Sequence, residues 1–227
     1  MIEKTIDHAA VPAILLVGVL SLPLCAQTAG GEPGFESLFD GESLEGWVGD
    51  KSSYSAADGV LSSKQGAGGN LYTARQFADF AFRFEFRLTP GANNGIGLRA
   101  PGTGDAAYTG MECQVLDNTA KQYKNLKPWQ AHGSIYGVAA AERGALKPAG
   151  EWNEQTILCQ GDRVSVTLND QVILDVDLAE AAPDGKTIDG REHPGLFRKS
   201  GHIGLLGHGA VVEFRNLAVR ELPPPGP

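Results

Sequence analysis

The stretch Ala81-Phe82-Arg83-Phe84-Glu85-Phe86-Arg87-Leu88 decides the fold. Phe82, Phe84, Phe86 and Leu88 fall on one side of a period-two chain, with Arg83, Glu85 and Arg87 on the other. Such a strand buries one apolar face and wets a charged one. That pattern belongs to an antiparallel sheet, because the strands of a parallel sheet are apolar on both faces.

Working outward, Gly95-Ile96-Gly97-Leu98-Arg99 repeats the alternation, with two glycines and an arginine opposite Ile96 and Leu98. Glu112-Cys113-Gln114-Val115-Leu116 is a further strand. Residues 155–160 and 163–168 make two more, joined by Gly161-Asp162. Asn169-Asp170 then turns the chain into 171–176, a hairpin with a two-residue loop. Residues 202–206 and 211–219 supply the last pair. No window of ten or more residues carries apolar positions at helical spacing with caps, and 179–182 makes at most a single turn. Turn signals every ten residues or so predict an antiparallel all-β sandwich. Longer loops at 100–110, 118–132, 138–150 and 180–200 are where a rigid sandwich carries its binding residues.

Composition agrees. Glycine makes up 30 of 227 residues, nearly twice its usual share of about 7%. Acidic residues outnumber basic ones 27 to 19, for a net charge of −8, and no basic cluster exists to neutralise phosphates. A nucleic-acid partner is therefore not expected. The chain predicts one domain over 35–222, with a Pro-rich tail at 223–227 that cannot join a sheet and is expected to fray.

At the other end, the apolar run at 11–24 is too short to span a bilayer as a helix and suits the core of a secretory signal. Residues 1–26 are therefore predicted as a signal peptide, with Ala26 before the cleavage point and 27–34 as a flexible leader. Lys4 is offset by Glu3 and Asp7, which departs from the usual basic start. Leu24 stands where a lipid-attachment signal at Cys25 wants a small residue. The expected location is periplasmic or extracellular. Cys113 and Cys159 then either pair or stay free within strands, and neither has zinc-like spacing.

Several residues invite chemistry. Glu112 and Gln114 are two apart in a strand and share a face. Straight pleating sends Asp117 to the opposite face, and only a bulge brings it back. Arg99 stands beside Gly95 and Gly97, which leave room for a ligand against the sheet. His208 lies between Gly207 and Gly209 at a tight bend, and an imidazole titrates near neutrality. Trp129, Trp152, Tyr108, Tyr123 and Tyr136 lie in or beside the long loops, where they either stack on sugars or plug the sandwich ends.

Seven blocks in order resemble the 3-keto-disaccharide hydrolase family. They begin with Phe35-Glu36-Ser37-Leu38-Phe39-Asp40-Gly41, followed by Leu44 and Gly46-Trp47. Then come Asn94-Gly95-Ile96-Gly97-Leu98-Arg99, and Gly110-Met111-Glu112-Cys113-Gln114-Val115-Leu116-Asp117-Asn118. Gly133-Ser134-Ile135-Tyr136-Gly137 and Lys147-Pro148-Ala149-Gly150-Glu151-Trp152-Asn153 follow, and Gly204-Leu205-Leu206-Gly207-His208-Gly209 with Phe214-Arg215-Asn216-Leu217 close the set. Cys113 and Leu206 depart from the family's usual residues, and His132 lies in a loop too variable to carry over.

The resemblance implies a concanavalin A-like, laminin G-like β-sandwich (jelly roll) and bacterial carbohydrate metabolism. It also implies cleavage of glycosides already oxidised at sugar C3, by C2 proton loss, β-elimination and water addition. That chemistry calls for a base, an enolate donor and an acid. His208 or Glu112 is the candidate base, and Arg99 the candidate enolate donor. Gln114, Asp117, Asn94, Tyr136, Lys147 and Trp152 are candidate sugar contacts or proton sources. No cofactor is expected, and no ligand spacing calls for a divalent metal, although such an ion would polarise the ketone. Two other readings stay open: a retaining sandwich-fold glycosidase, which needs a second carboxyl near Glu112, and a non-catalytic, lectin-like carbohydrate-binding module.

Overall fold

The computed structural model describes Met1 and residues 34–226. The predicted signal peptide and leader fall outside the described residues except for Met1 and Gly34.

Thirteen strands form two antiparallel sheets. They are β1 (Glu36–Ser37), β2 (Trp47–Gly49), β3 (Tyr54–Ala57), β4 (Val60–Ser63), β5 (Asn70–Thr73), β6 (Phe80–Leu88) and β7 (Asn93–Ala100). The rest are β8 (Met111–Leu116), β9 (Trp152–Gln160), β10 (Arg163–Leu168), β11 (Gln171–Asp177), β12 (His202–Gly207) and β13 (Val212–Glu221). The larger sheet has eight strands in the order β11-β10-β9-β6-β13-β4-β3, with β1 on β13, and the smaller has five in the order β2-β5-β12-β7-β8. The fold is a concanavalin A-like sandwich. Among the described residues, two single α-helical turns interrupt it besides short 3-10 turns: α1 (Ala106–Thr109), which the alternation does not foretell, and α2 (Leu178–Ala181).

The alternating phenylalanines of β6 do what their spacing predicts. Phe82, Phe84 and Phe86 are wholly buried and pack into one core with Ile96, Leu98, Val115, Leu205 and Phe214. The other face of β6 carries charge: Glu85 pairs with Arg215 (2.6 Å) and Arg87 with Glu213 (2.5 Å). Both Asn169 and Asp170 have positive φ, 46° and 66°, as a two-residue hairpin twisted to match its strands requires.

Cys113 and Cys159 are buried and free. Burial pushes both thiols up, Cys159 to about 12, so they behave as small core apolar groups. His132 is also a core residue. It stacks on Phe86 at 5.1 Å, and its Nε2 lies 2.9 Å from Gln155 Oε1. Burial lowers its pKa to about 4.

The described part of the proline tail, 223–226, joins no strand and lies against the β9–β10 turn. Gln160 Nε2 donates to the Pro223 carbonyl at 2.9 Å. A side chain at Gly161 would meet Pro225 at 2.9 Å, so a glycine there lets the tail lie close.

Candidate active site

Strand pairing across the smaller sheet builds a site from rows of residues. Tyr72 on β5 pairs with Gly204 on β12, Gly204 with Gly97 on β7, and Gly97 with Glu112 on β8. The next row runs Asn70, Leu206, Gly95, Gln114. Residues paired across an antiparallel sheet share a face, and this face points away from the core that takes Ile96, Leu98 and Val115. Three glycines in two rows leave a low floor partly covered by the Leu206 side chain, whose Cδ2 would lie 3.3 Å from a Cβ on Gly97 or Gly204, with Tyr72 and Asn70 along one side and Glu112 and Gln114 along the other.

Glu112 leans over that floor. A Cβ placed on Gly95 would stand 2.0 Å from Glu112 Oε1, so the carboxyl occupies space that any larger residue would fill. Gln114, Glu112 and Tyr72 are all buried, at 4 to 5% exposure. Even so, Glu112 Oε1 and Gln114 Oε1 have no hydrogen-bond partner. Buried polar atoms are nearly always paired, so two unpaired acceptors on one cleared face mark a place built for a ligand. His208 stands at the rim with its side chain 47% exposed, and its Nε2 lies 3.7 Å from Glu112 Oε1. Its polar contact with Glu112 raises the imidazole's pKa, outweighing the burial that opposes it, and Asp105 adds in the same direction.

The free edge of β8 is covered by 133–136. Gln114 N donates to Ser134 O at 3.0 Å, and Tyr136 N donates to Glu112 O at 2.9 Å. Tyr136 sits edge-on to Trp129 at 5.0 Å and to Tyr108 at 6.5 Å. Arg191 lies over the Tyr108 ring at 4.1 Å, and His193 stands 4.7 Å from the same ring. The buried pair His193–Asp189 (3.1 Å) supports this group from behind, against Gly137, where a Cβ would stand 2.4 Å from Asp189 Oδ2. Three of the long loops thus meet in one aromatic cluster beside Glu112.

Five predicted site residues lie elsewhere or are committed. Arg99 is 1% exposed and commits every guanidinium nitrogen to structure: Nε to Ala78 O, Nη1 to Gly161 O and Arg198 O, and Nη2 to Asp79 Oδ1. The cause is a bulge opposite β12 at which Arg99 takes φ 48°. An extra residue there breaks the alternation that placed Arg99 beside Gly97. Arg99 instead ties the sandwich together at one end, so Arg99→Ala is expected to cost about 3–5 kcal/mol by stranding Asp79 and three carbonyls. Thermal unfolding reads that loss, and kcat below the melting range should stay within about threefold of the parent.

Asp117 follows an unbulged β8 and caps a turn, accepting from Gly91 N at 2.8 Å and from Thr119 N and Oγ1 at 3.0 and 2.6 Å. Those bonds hold its carboxyl below the usual range, against the burial that pushes it up. Asn94 pairs with Val115 and so faces the core, wholly buried. Trp152 lies on the larger sheet between Arg87 and Arg215, at 4.8 and 4.1 Å. Lys147 Nζ donates to the Trp152 carbonyl at 3.1 Å.

Two residues on this face were missed. Tyr72 lies in a four-residue strand too short to show alternation, and Asp105 caps α1 through Ala107 N at 3.1 Å. Among the described residues no three His, Cys, Asp or Glu side chains gather as metal ligands.

An antiparallel sandwich with a carboxylate and an imidazole on a glycine-cleared face, beside clustered aromatics, has the makings of a carbohydrate-active enzyme. Residues 34–220 match the sequence profile of the 3-keto-α-glucoside-1,2-lyase-like domain. The chain belongs to that family and is an enzyme of the 3-keto-disaccharide hydrolase class. A 3-keto-disaccharide hydrolase of Bacteroides thetaiotaomicron is 28% identical to it over 230 residues, covering 83% of this chain and 79% of that one. A crystal structure from Parabacteroides distasonis, described as a "putative glycosyl hydrolase", superposes with a TM-score of 0.74 at 28% identity, covering 83% of this chain and 99% of that chain. A carbohydrate-binding module of Bacillus subtilis shares the fold alone, with a TM-score of 0.53 at 14% identity over 78% of this chain and 96% of its own.

Proposed function

We propose that this chain cleaves 3-keto-glycosides by elimination and hydration, with Glu112 as base and His208 as acid. The observation that carries the reading is the unpartnered Glu112 Oε1, set 3.7 Å from His208 over a glycine floor. A ketone at C3 acidifies the C2 proton. Glu112 takes that proton, and the electron pair flows toward the C3 oxygen. It returns as the C1–O bond breaks and C1=C2 forms, while the imidazolium of His208 protonates the departing oxygen. Neutral His208 then takes a proton from water as the oxygen adds to C1, and Glu112, its proton exchanged with solvent in the meantime, protonates C2. The sum is hydrolysis without oxidation or reduction, so no redox cofactor is called for. We further propose that the chain works after export to the periplasm or beyond, a point settled by sequencing the amino terminus of the mature protein.

The retaining-glycosidase alternative loses the second carboxyl that the sequence offered, since Asp117 faces away from Glu112 and is spent on Gly91 and Thr119, while Asp105 caps α1. One assay separates the readings. Aglycone release from a 3-keto-glucoside and none from its unoxidised parent supports elimination. Release from the parent points to ordinary glycoside hydrolysis, and binding without release from either points to a lectin-like module.

The acid role sets a pH dependence. With the folded pKa of His208 raised, the protonated ring persists above the ordinary histidine value of about 6.5 and is lost as pH climbs through the raised value. Turnover should therefore persist beyond the pH at which an ordinary histidine loses its proton, and fall on the alkaline side of the raised value. In Glu112→Gln the His208 ring should titrate lower than in the wild type, since burial is then opposed only by the weaker pull of Asp105. Ring-proton NMR reads both values, and an unmoved titration contradicts the pairing.

A further inference from the structure

We infer that Tyr72 is a catalytic residue of this site, its phenol donating the hydrogen bond that holds the developing enolate oxygen across the glycine floor from Glu112. The inference rests on reading Glu112 and His208 as the acid–base pair of a 3-keto-glycoside elimination. That chemistry needs three groups, and the third has no holder once Arg99 is committed to Ala78, Gly161, Arg198 and Asp79. An enolate forming without a donor in a dry site is costly, and one well-aimed donor is worth about two to three orders of magnitude in rate.

The sheet register puts Tyr72 in the right place. It occupies the same cross-strand row as Glu112, with only Gly204 and Gly97 between them. Three strand spacings make about 14 Å between the two backbones. The side chains shorten the gap: the Tyr72 ring leans over Gly204, where an added Cβ would stand 2.8 Å from two ring carbons. Glu112 leans inward over Gly95 in the same manner. A sugar ring resting here on the Leu206 methyl between Gly204 and Gly97 would be flanked by a carboxyl on one side and a phenol on the other.

The hydrogen-bond inventory gives the phenol a direction. Asn70 Nδ2 donates to the Tyr72 oxygen at 3.1 Å, so the oxygen's acceptor role is taken and its own hydrogen remains to be given. Among the described residues that hydrogen has no acceptor. Leu206, Ala100 and Ala106 surround the ring, which is 4% exposed, and exclude water from the bond it would make. Burial raises the phenol's pKa, with Asp105 and Glu112 acting in the same direction against Asn70, and this keeps the hydrogen in place at neutral pH. Gln114, on the neighbouring row, carries an unpartnered oxygen and an amide nitrogen that also donates, but it stands on the Glu112 side of the floor and not across from it. In the reaction, Glu112 removes the C2 proton and the released pair gathers on the C3 oxygen. Tyr72 holds that oxygen without surrendering its proton, and the pair returns as C1–O breaks.

Tyr72→Phe keeps the ring and deletes the donor, with one hydrogen bond from Asn70 lost. On a 3-keto-glucoside, kcat is expected to fall about 100- to 1,000-fold, with KM within about threefold and a larger deuterium isotope effect at C2. Wild-type enzyme and Glu112→Gln run alongside. If the wild type releases aglycone from the ketone and Tyr72→Phe stays within about threefold of it, the Tyr72 assignment is overturned while the acid–base pair stands. A fall in kcat with an unchanged isotope effect and a depressed melting temperature assigns Tyr72 to packing and also overturns it. A wild type inert toward the ketone overturns both readings.

Discussion

Glu112→Gln is expected to lower kcat on a 3-keto-glycoside by about a hundred- to ten-thousandfold, the range set by losing a positioned base. The amide keeps the shape of the carboxylate and removes only its basicity, so KM should change little. Stability should move the other way. Glu112 is 5% exposed and its Oε1 has no partner, a placement that favours binding a reacting group over holding the fold. Exchanging a buried carboxylate for a neutral group of equal volume removes a desolvation cost, so the melting temperature should stay level or rise by a few degrees. Loss of activity together with a lower melting temperature assigns Glu112 to the fold instead.

Gly95→Ala should do nearly the same damage with Glu112 still present. The added methyl would lie 2.0 Å from Glu112 Oε1 and 2.7 Å from its Cγ and Cδ, so the whole end of the side chain must move. A misplacement of about 1 Å costs on the order of a hundredfold in rate, and that is the expected loss in kcat. Gly97→Ala is the matched comparison, one row over in the same strand. Its methyl would meet Leu206 Cδ2 at 3.3 Å and Ala100 Cβ at 3.5 Å, contacts that a small rotation of Leu206 relieves. It should leave Glu112 seated, so kcat should fall less than about tenfold, while KM rises because the methyl crowds the sugar on the floor. Equal losses in the two variants contradict the idea that Gly95 exists to seat Glu112.

That contrast also shows what the sequence could reveal. The excess of glycine pointed to strands and turns, and Gly95 and Gly97 pointed to a cleared face, because both features follow from local alternation. Glu112 and Gln114 share a face for the same reason. Alternation fails where the backbone inserts a residue. A bulge was weighed at Asp117, where β8 runs straight, while the bulge that occurs turns Arg99 away from the floor. Nothing about an arginine announces a positive φ, so the error lay beyond any pattern of side chains.

Sheet assignment was the second barrier. Trp152 and Lys147 sit near loops in the chain, yet β9 pairs with β6 and so belongs to the other sheet. Tyr72 was hidden for the opposite reason. A four-residue strand is too short to show a period, and only its pairing with Gly204 places it opposite Glu112. His208 needed no such help, since Gly207 and Gly209 already marked the bend on which it stands.

The most direct test of the account is the fate of the hydrogen at C2. Cleavage of a 3-keto-glucoside in heavy water should place solvent deuterium at C2 of the released sugar during the first turnovers, faster than the isolated product exchanges. Substrate deuterated at C2 should react several-fold more slowly. Protium kept at C2 through turnover, with no isotope effect, would mean that the bond to the aglycone breaks without Glu112 touching that proton.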